Sequence, residues 1–173
     1  WFEIAALTGS DRTVGRPYGE GVNWLLDGDP PEQVANMIVQ PTEPNLEPKV
    51  LFSALPTADA RELEPKFAAA GYAVLTNASP FRMDPYVPLL IPEVNPDHTG
   101  IIPYQQEAYG WPGYIVANAN CSTTSIVLPL KILHEAYGVE TAVVVTMQAI
   151  SGAGYPGVPS LDIMDNKIGR AHV

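Results

Sequence analysis

The sequence predicts an α/β fold built on a doubly wound, mostly parallel sheet of the Rossmann type. Short apolar runs such as Val50 to Leu55 and Ala73 to Ala78 recur along the chain, and strands apolar on both faces belong to sheets covered on both sides. Between these runs stand longer stretches with helical punctuation, the alternation that makes βαβ units. A third sign is the junction at Asn118-Ala119-Asn120-Cys121-Ser122-Thr123-Thr124, where an apolar strand-like run meets a long apolar helical run and which holds the only cysteine.

Taken in order, Phe2 to Leu7 reads as a strand and Thr8 to Gly15 as the polar loop after it. Pro30-Pro31 and the stretch Pro41 to Pro48 are punctuated surface segments. Val50 to Leu55 is a short strand closed by Pro56. Thr57 reads as the cap of a helix over Ala58 to Ala70, which Gly71 stops. Ala73 to Ala78, Leu89 to Val94 and Tyr114 to Ala119 follow as strands. The helix Ser122 to Tyr137 is apolar on nearly all sides and is expected to be buried, with Pro129 bending it and Gly138 ending it. Glu140 to Ile150 is the most β-branched stretch and reads as a long strand. A domain boundary is expected between Tyr137 and Glu140, with no internal repeat or low-complexity segment.

Composition narrows the function classes. The chain has 173 residues, with 9 Lys+Arg against 19 Asp+Glu. This acidic balance argues against nucleic acid and anionic membrane surfaces, which call for basic patches. No run approaches the roughly 20 apolar residues of a membrane span. One cysteine excludes an intrachain disulfide framework and fits a reducing, cytoplasmic setting. Trp1-Phe2-Glu3-Ile4 has neither the basic start nor the apolar core of a signal peptide. With no initiating Met, the chain is expected to start within a longer protein.

A thiol at a strand-to-helix junction lies beside unpaired backbone N–H groups at the positive end of the helix dipole, a setting that favours the thiolate. A lone cysteine is more often a small buried apolar residue, so Cys121 needs partners. Three loops after strands supply some, because ligands in such folds bind at the carboxyl ends of the strands. Ser10 to Gly15 follows the strand where a nucleotide ribose is read. Ser10, Arg12 and Arg16 favour a 2′-phosphate and hence NADP, although Asp11 keeps NAD open. Ser53-Ala54-Leu55-Pro56 and Asn77-Ala78-Ser79 are small and polar enough for close backbone approach to a cofactor. Arg82 offers a fork suited to phosphate or carboxylate. Gln148, 27 positions after Cys121, leads into Ser151-Gly152-Ala153-Gly154, a turn that can bring backbone against a flat ring or an oxyanion.

Together these residues resemble aspartate-semialdehyde dehydrogenases of the archaeal and fungal branch. The resemblance runs from Trp1 to Asn166 and is most specific in NANCSTT at Asn118 to Thr124 and TMQAISGAGYPGVPSLDI at Thr146 to Ile163. NASPFRMDP at Asn77 to Pro85 and PLLIPEVNPDH at Pro88 to His98 support it, as does the Cys121 to Gln148 interval; Ser125 stands where glycine is expected.

The resemblance implies NADPH-dependent reductive dephosphorylation of L-4-aspartyl phosphate to aspartate 4-semialdehyde, reversibly, in lysine, methionine, threonine and isoleucine biosynthesis. It implies Cys121 as the nucleophile that carries an acyl-thioester, and Gln148 as the residue that orients the substrate. Arg82 and Asn120 would hold phosphate. Ser10, Arg12, Ser53, Asn77, Ser151 and Gly152 would line the cofactor, and no metal is implied. A homodimer or homotetramer is implied for the full-length protein.

The resemblance also implies that the first strand, its glycine-rich loop and the first helix precede Trp1. The remaining substrate residues and the histidine base would follow Asn166, since neither His98 nor His134 sits in a matching motif. The expected organisation is therefore an N-terminally truncated NADP-binding domain over 1–138 and the start of an α+β catalytic and dimerisation domain over 139–166. Residues 167–173 are expected to be read-through. Ile168 to Val173 match the adapter ATC GGA AGA GCA CAC GTC followed in frame by TGA, and other codons in the gene would contradict this. His172 is accordingly not a candidate base. Alone, the chain is expected to be inactive and marginally stable.

Three alternatives remain. A malonyl- or succinyl-CoA reductase would keep the same cysteine, glutamine and loops. N-acetyl-glutamyl-phosphate reductase shares the chemistry, but its nucleophile follows proline-glycine rather than Ala119-Asn120. A non-catalytic nucleotide-binding or oligomerisation module would not need Cys121 and Gln148 at this spacing.

Overall fold

The computed structural model describes residues 3–146. The chain divides into two compact units, Trp1–Ile132 and Leu133–Val173. Along the chain the elements run β1 (Thr8–Gly9), α1 (Tyr18–Gly21), α2 (Glu32–Ala35), β2 (Gln40–Pro41), β3 (Val50–Ser53), α3 (Thr57–Ala69), β4 (Ala73–Thr76) and β5 (Leu89–Leu90). A 3-10 turn over Pro96–Ile101, α4 (Ile102–Tyr109), β6 (Tyr114–Asn118) and α5 (Cys121–Tyr137) follow.

Every strand pair is parallel, so the α/β expectation holds. β1 pairs with β2, and the larger sheet has the order β3-β4-β6-β5. In its register Phe52 faces Leu75 and Leu75 faces Val116, so Ser53, Thr76 and Asn118 end together at one edge. One sheet face is covered by α3, while α4 lies against β6 through Gln105. The core holds Phe67, Ala68, Tyr72, Val74, Ile115 and Ala117, all essentially without solvent contact. The other face leaves Val50 and Phe52 47% and 65% exposed.

Three local features explain this packing. Gly71 takes φ +84 to end the β3-to-β4 crossover, as its position predicts. A β-carbon on Gly113 would strike the backbone of Ala68 and Tyr72, so only glycine lets the chain enter β6 at that distance. Gln105 completes the sheet where β5 is too short to do so. Its Oε1 accepts from the Ile115 N–H (2.7 Å), and its Nε2 donates to the Ile115 and Tyr86 carbonyls (3.0 Å each). Gln105→Leu would strand both Ile115 groups in the core, at roughly 1–3 kcal/mol for each unsatisfied group. Urea unfolding is expected to show a loss of about 2 kcal/mol or more with an unchanged slope.

Several expectations are corrected. The bonded strand after Phe2 to Leu7 falls on Thr8–Gly9, within the segment read as loop, because its partners Gln40 and Pro41 lie opposite those two residues. Thr57 is the first helical residue rather than the cap. Pro56 holds the cap position without a side-chain bond, and the Thr57 hydroxyl lies 3.3 Å from that of Ser79. The strand expected over Leu89 to Val94 stops at Leu90, because Asn95 folds the chain back. Its Oδ1 accepts from the Ile91 N–H and its Nδ2 donates to the Leu89 carbonyl. Helix α5 has no buried residue, and Ile132 and Tyr137 are 68% and 84% exposed. Apolar composition predicted burial, but the helix is only half-buried along Thr124, Val127, Leu130 and Lys131, whose Nζ donates to the Val94 carbonyl (2.8 Å). The strand expected over Glu140 to Ile150 is absent over 140–146, which pair with no strand among the described residues, and 147–150 lie outside them.

Candidate active site

The carboxyl edge of the larger sheet brings together residues distant in sequence. β6 ends at Asn118, and Cys121 begins α5 three residues later. Asn120 joins the two elements. Its Oδ1 accepts from the Ser122 N–H (3.0 Å) and its carbonyl from the Thr124 N–H (2.9 Å). This is the N-cap arrangement that satisfies otherwise orphaned helical donors. It leaves the Asn120 Nδ2 as a donor and fixes the start of the helix, while the Cys121 thiol is free and exposed.

Arg82 reaches this edge from the loop between β4 and β5. Its Nε donates to the Asn118 carbonyl (2.9 Å) and its Nη2 to the Asn77 carbonyl (2.7 Å). The remaining guanidinium N–H groups are left for a ligand, in the fork geometry that suits an oxyanion. Asn118 Nδ2 donates to Asn77 Oδ1 (2.8 Å). The ends of β4 and β6 are thus tied by three bonds with Arg82 at their centre.

The loop carrying Arg82 is anchored by Asp84, which accepts from the Tyr86 N–H (2.9 Å) and the Tyr109 hydroxyl (2.6 Å). Tyr109 also stacks on Trp111 at 4.6 Å between ring centroids. Burial, then the Asp84 bond and charge, push Tyr109 from its ordinary value near 10 up to about 12. A raised phenol contributes stability that is complete below its unfolded value and is lost as pH rises through the folded one. Absorbance titration is expected to show one tyrosine ionising near 12, a step that Tyr109→Phe removes. Stability should fall across the same window, and a last phenol step unchanged in Tyr109→Phe would contradict the assignment.

A depression of about 310 Å³ runs along this edge. Its walls are Phe52, Leu75, Leu90 and Val116, and its polar rim is Ser53, Thr76, Asn77 and Asn118. A flat apolar wall beside amide and backbone groups at strand carboxyl ends fits a nicotinamide dinucleotide. Ser53 lines it, yet the Ser53 hydroxyl donates to Glu64 Oε1 (2.6 Å). The Ser53 carbonyl accepts from the Asn77 N–H (2.9 Å), so the hydroxyl and carbonyl of Ser53 both hold the strand end in place. Ser10 and Arg12 are exposed on the turn after β1, closed by the Thr13 and Val14 N–H groups on the Ser10 carbonyl. His98 Nδ1 lies 3.0 Å from the Leu89 carbonyl. Gln148, Ser151 and Gly152 lie outside the described residues. No cluster of metal-ligating side chains occurs among the described residues.

Sequence reading missed two participants. Asn118 was legible only as part of the cysteine motif, although its amide links the two strand ends. Glu64 carries no local signal beyond its place four residues after Ala60 and three before Phe67, on the inward stripe of α3.

Fold and site define a nucleotide-cofactor-binding α/β domain with a cysteine and an arginine at the carboxyl edge of its sheet. Residues 1–101 match the family model described as semialdehyde dehydrogenase, NAD binding domain, and the chain belongs to that family. It is 50% identical over 169 residues to the aspartate-semialdehyde dehydrogenase of Archaeoglobus fulgidus, covering 97% of this chain and 49% of that one. A malonyl CoA reductase (NADP) of Metallosphaera sedula is 40% identical, over 90% of this chain and 44% of the relative. Among solved structures, aspartate semialdehyde dehydrogenase with NADP from Candida albicans matches with a TM-score of 0.76 and 36% identity, covering 95% of this chain and 47% of that one. The chain spans about half the length of the curated relatives it matches. No helix among the described residues is long and apolar enough to cross a membrane.

Proposed function

We propose that the whole protein is a cytoplasmic, NADP-dependent aspartate-semialdehyde dehydrogenase that interconverts L-4-aspartyl phosphate and L-aspartate 4-semialdehyde. One observation carries the reading. Cys121 is the first residue of α5, directly beyond β6, on the sheet edge that also holds Arg82, Asn77 and Asn118. In a member of this family, a cysteine at that junction is the nucleophile.

The Cys121 sulfur attacks the aldehyde carbon as thiolate and forms the C–S bond of a thiohemiacetal, whose oxygen takes up a proton. NADP held in the crevice at Ser53 and Asn77 would supply the acceptor for the hydride that leaves that carbon. Cys121 then carries the acyl group as a thioester, the hydroxyl proton having left. Inorganic phosphate attacks the acyl carbon, the C–S bond breaks, and Cys121 leaves as thiolate. Arg82 and the Asn120 amide hold the phosphate and the developing oxyanion. Ser10 and Arg12 read the 2′-phosphate of the cofactor, while Ser53 and Asn77 shape its crevice through their loops. Gln148 orients the substrate, and Ser151 and Gly152 line the nicotinamide side. Residues 1–138 form the cofactor domain and 139–166 begin the catalytic and dimerisation domain of a homodimer or homotetramer.

The Metallosphaera relative favours one second reading, a reductase of malonyl- or succinyl-CoA through the same thioester. The test is NADP reduction by the full-length protein with aspartate semialdehyde and phosphate, run beside NADPH oxidation with malonyl-CoA and succinyl-CoA. Phosphate-dependent turnover with the semialdehyde is expected. Turnover with a CoA thioester alone would replace the first reading by the second.

A further inference from the structure

The reaction does not use the most deeply buried carboxyl group described. Glu64 has no solvent exposure and lies on the inward stripe of α3 with Ala60, Phe67 and Ala68. Its Oε1 accepts from the hydroxyls of Ser53 and Thr76, each at 2.6 Å. Its Oε2 is buried and has no partner among the described residues. An apolar side chain would complete the stripe without the cost of desolvating a carboxyl group. What Glu64 adds is its pair of bonds, and these fall on the last residues of β3 and β4.

Those two residues start the loops at the cofactor crevice. The Asn77 N–H donates to the Ser53 carbonyl (2.9 Å) and the Ala78 N–H to Thr76 Oγ1 (3.0 Å). Asn77 in turn meets Arg82 through its carbonyl and Asn118 through its side chain. A bonded chain therefore runs from Glu64 through Thr76 and Asn77 to the strand end that precedes Cys121.

We propose that Glu64 is a positioning residue of the cofactor crevice, clamping the ends of β3 and β4 in one register so that the loops at Ser53 and Asn77 keep their shape. This rests on the cofactor reading given above. A group that merely fills the core would alter thermal stability and leave the affinity of the folded protein unchanged. A clamp alters the affinity and the exchange of specific amides.

The experiment uses the full-length protein, with folding followed by near-ultraviolet circular dichroism. It measures NADP dissociation constants and hydrogen exchange at the Asn77 and Ala78 amides without cofactor. Glu64→Met keeps the volume and removes both bonds; it is expected to weaken NADP binding about tenfold and to speed exchange at both amides comparably. Glu64→Gln retains an acceptor at Oε1 and should stay within about threefold of the parent. A folded Glu64→Met with a dissociation constant within about twofold of the parent and unchanged exchange would overturn the proposal. Should Glu64→Met not fold, Thr76→Val breaks one arm of the clamp and is judged by NADP affinity and by exchange at Asn77 alone, because the Ala78 N–H loses its own acceptor in that variant. A parent that binds no NADP would defeat the cofactor reading, while exchange at Asn77 and Ala78 would still decide the clamp.

Discussion

Cys121→Ser in the full-length protein is expected to lower NADP-dependent turnover by about 10³-fold or more, some 4 kcal/mol of barrier, with little change in stability. A serine hydroxyl is almost wholly protonated at neutral pH and is the weaker nucleophile, whereas a thiol reacts through its more readily formed and more nucleophilic anion. Residue 121 is exposed and its side chain has no bonded partner among the described residues, so the substitution costs no packing. The Asn120 cap and the bond from the Ser125 hydroxyl to the Cys121 carbonyl are untouched. Steady-state kinetics beside thermal unfolding separates the two quantities. Retention of parental turnover would move the nucleophile elsewhere.

Arg82→Ala is expected to lower kcat/KM by a factor on the order of 10², the scale of losing one preorganised oxyanion donor. Two effects combine. On the proposed reading the guanidinium is lost as a ligand for phosphate, and the Asn77 and Asn118 carbonyls lose the donor that ties them together. Arg82→Lys should recover only part of the loss, because an ammonium lacks the planar fork that spans both carbonyls and an oxyanion. Kinetics at varied phosphate concentration should assign most of the defect to phosphate. A variant with parental phosphate dependence would leave Arg82 as a loop anchor alone.

The fold was legible where local chemistry and packing agree. β3, α3, β4 and β6 follow from short apolar runs and from the Pro56 and Gly71 punctuation around α3. Legibility failed where a long-range partner decides. Phe2 to Leu7 looks more strand-like than Thr8-Gly9, but strand pairing belongs to the residues opposite Gln40 and Pro41. The segment Pro96 to Tyr109 was left unassigned, since its proline and glycine hide a 3-10 turn running into a helix. α5 reads as a core helix, yet burial depends on what covers it. Within the site, Cys121 and Arg82 were visible because a strand end followed by cysteine or arginine is a local pattern. Glu64 was invisible as a participant, because its meaning lies in Ser53 and Thr76, 11 and 12 positions away.

The central claim is that Cys121 carries the acyl group. Incubating the full-length protein with aspartate 4-semialdehyde and NADP, without phosphate, should yield one NADPH per active cysteine and then stall. Intact-protein mass spectrometry should show one aspartyl adduct, peptide mapping should locate it on Cys121, and added phosphate should discharge it. An adduct on another residue, or continuing turnover with no adduct at all, would contradict the account.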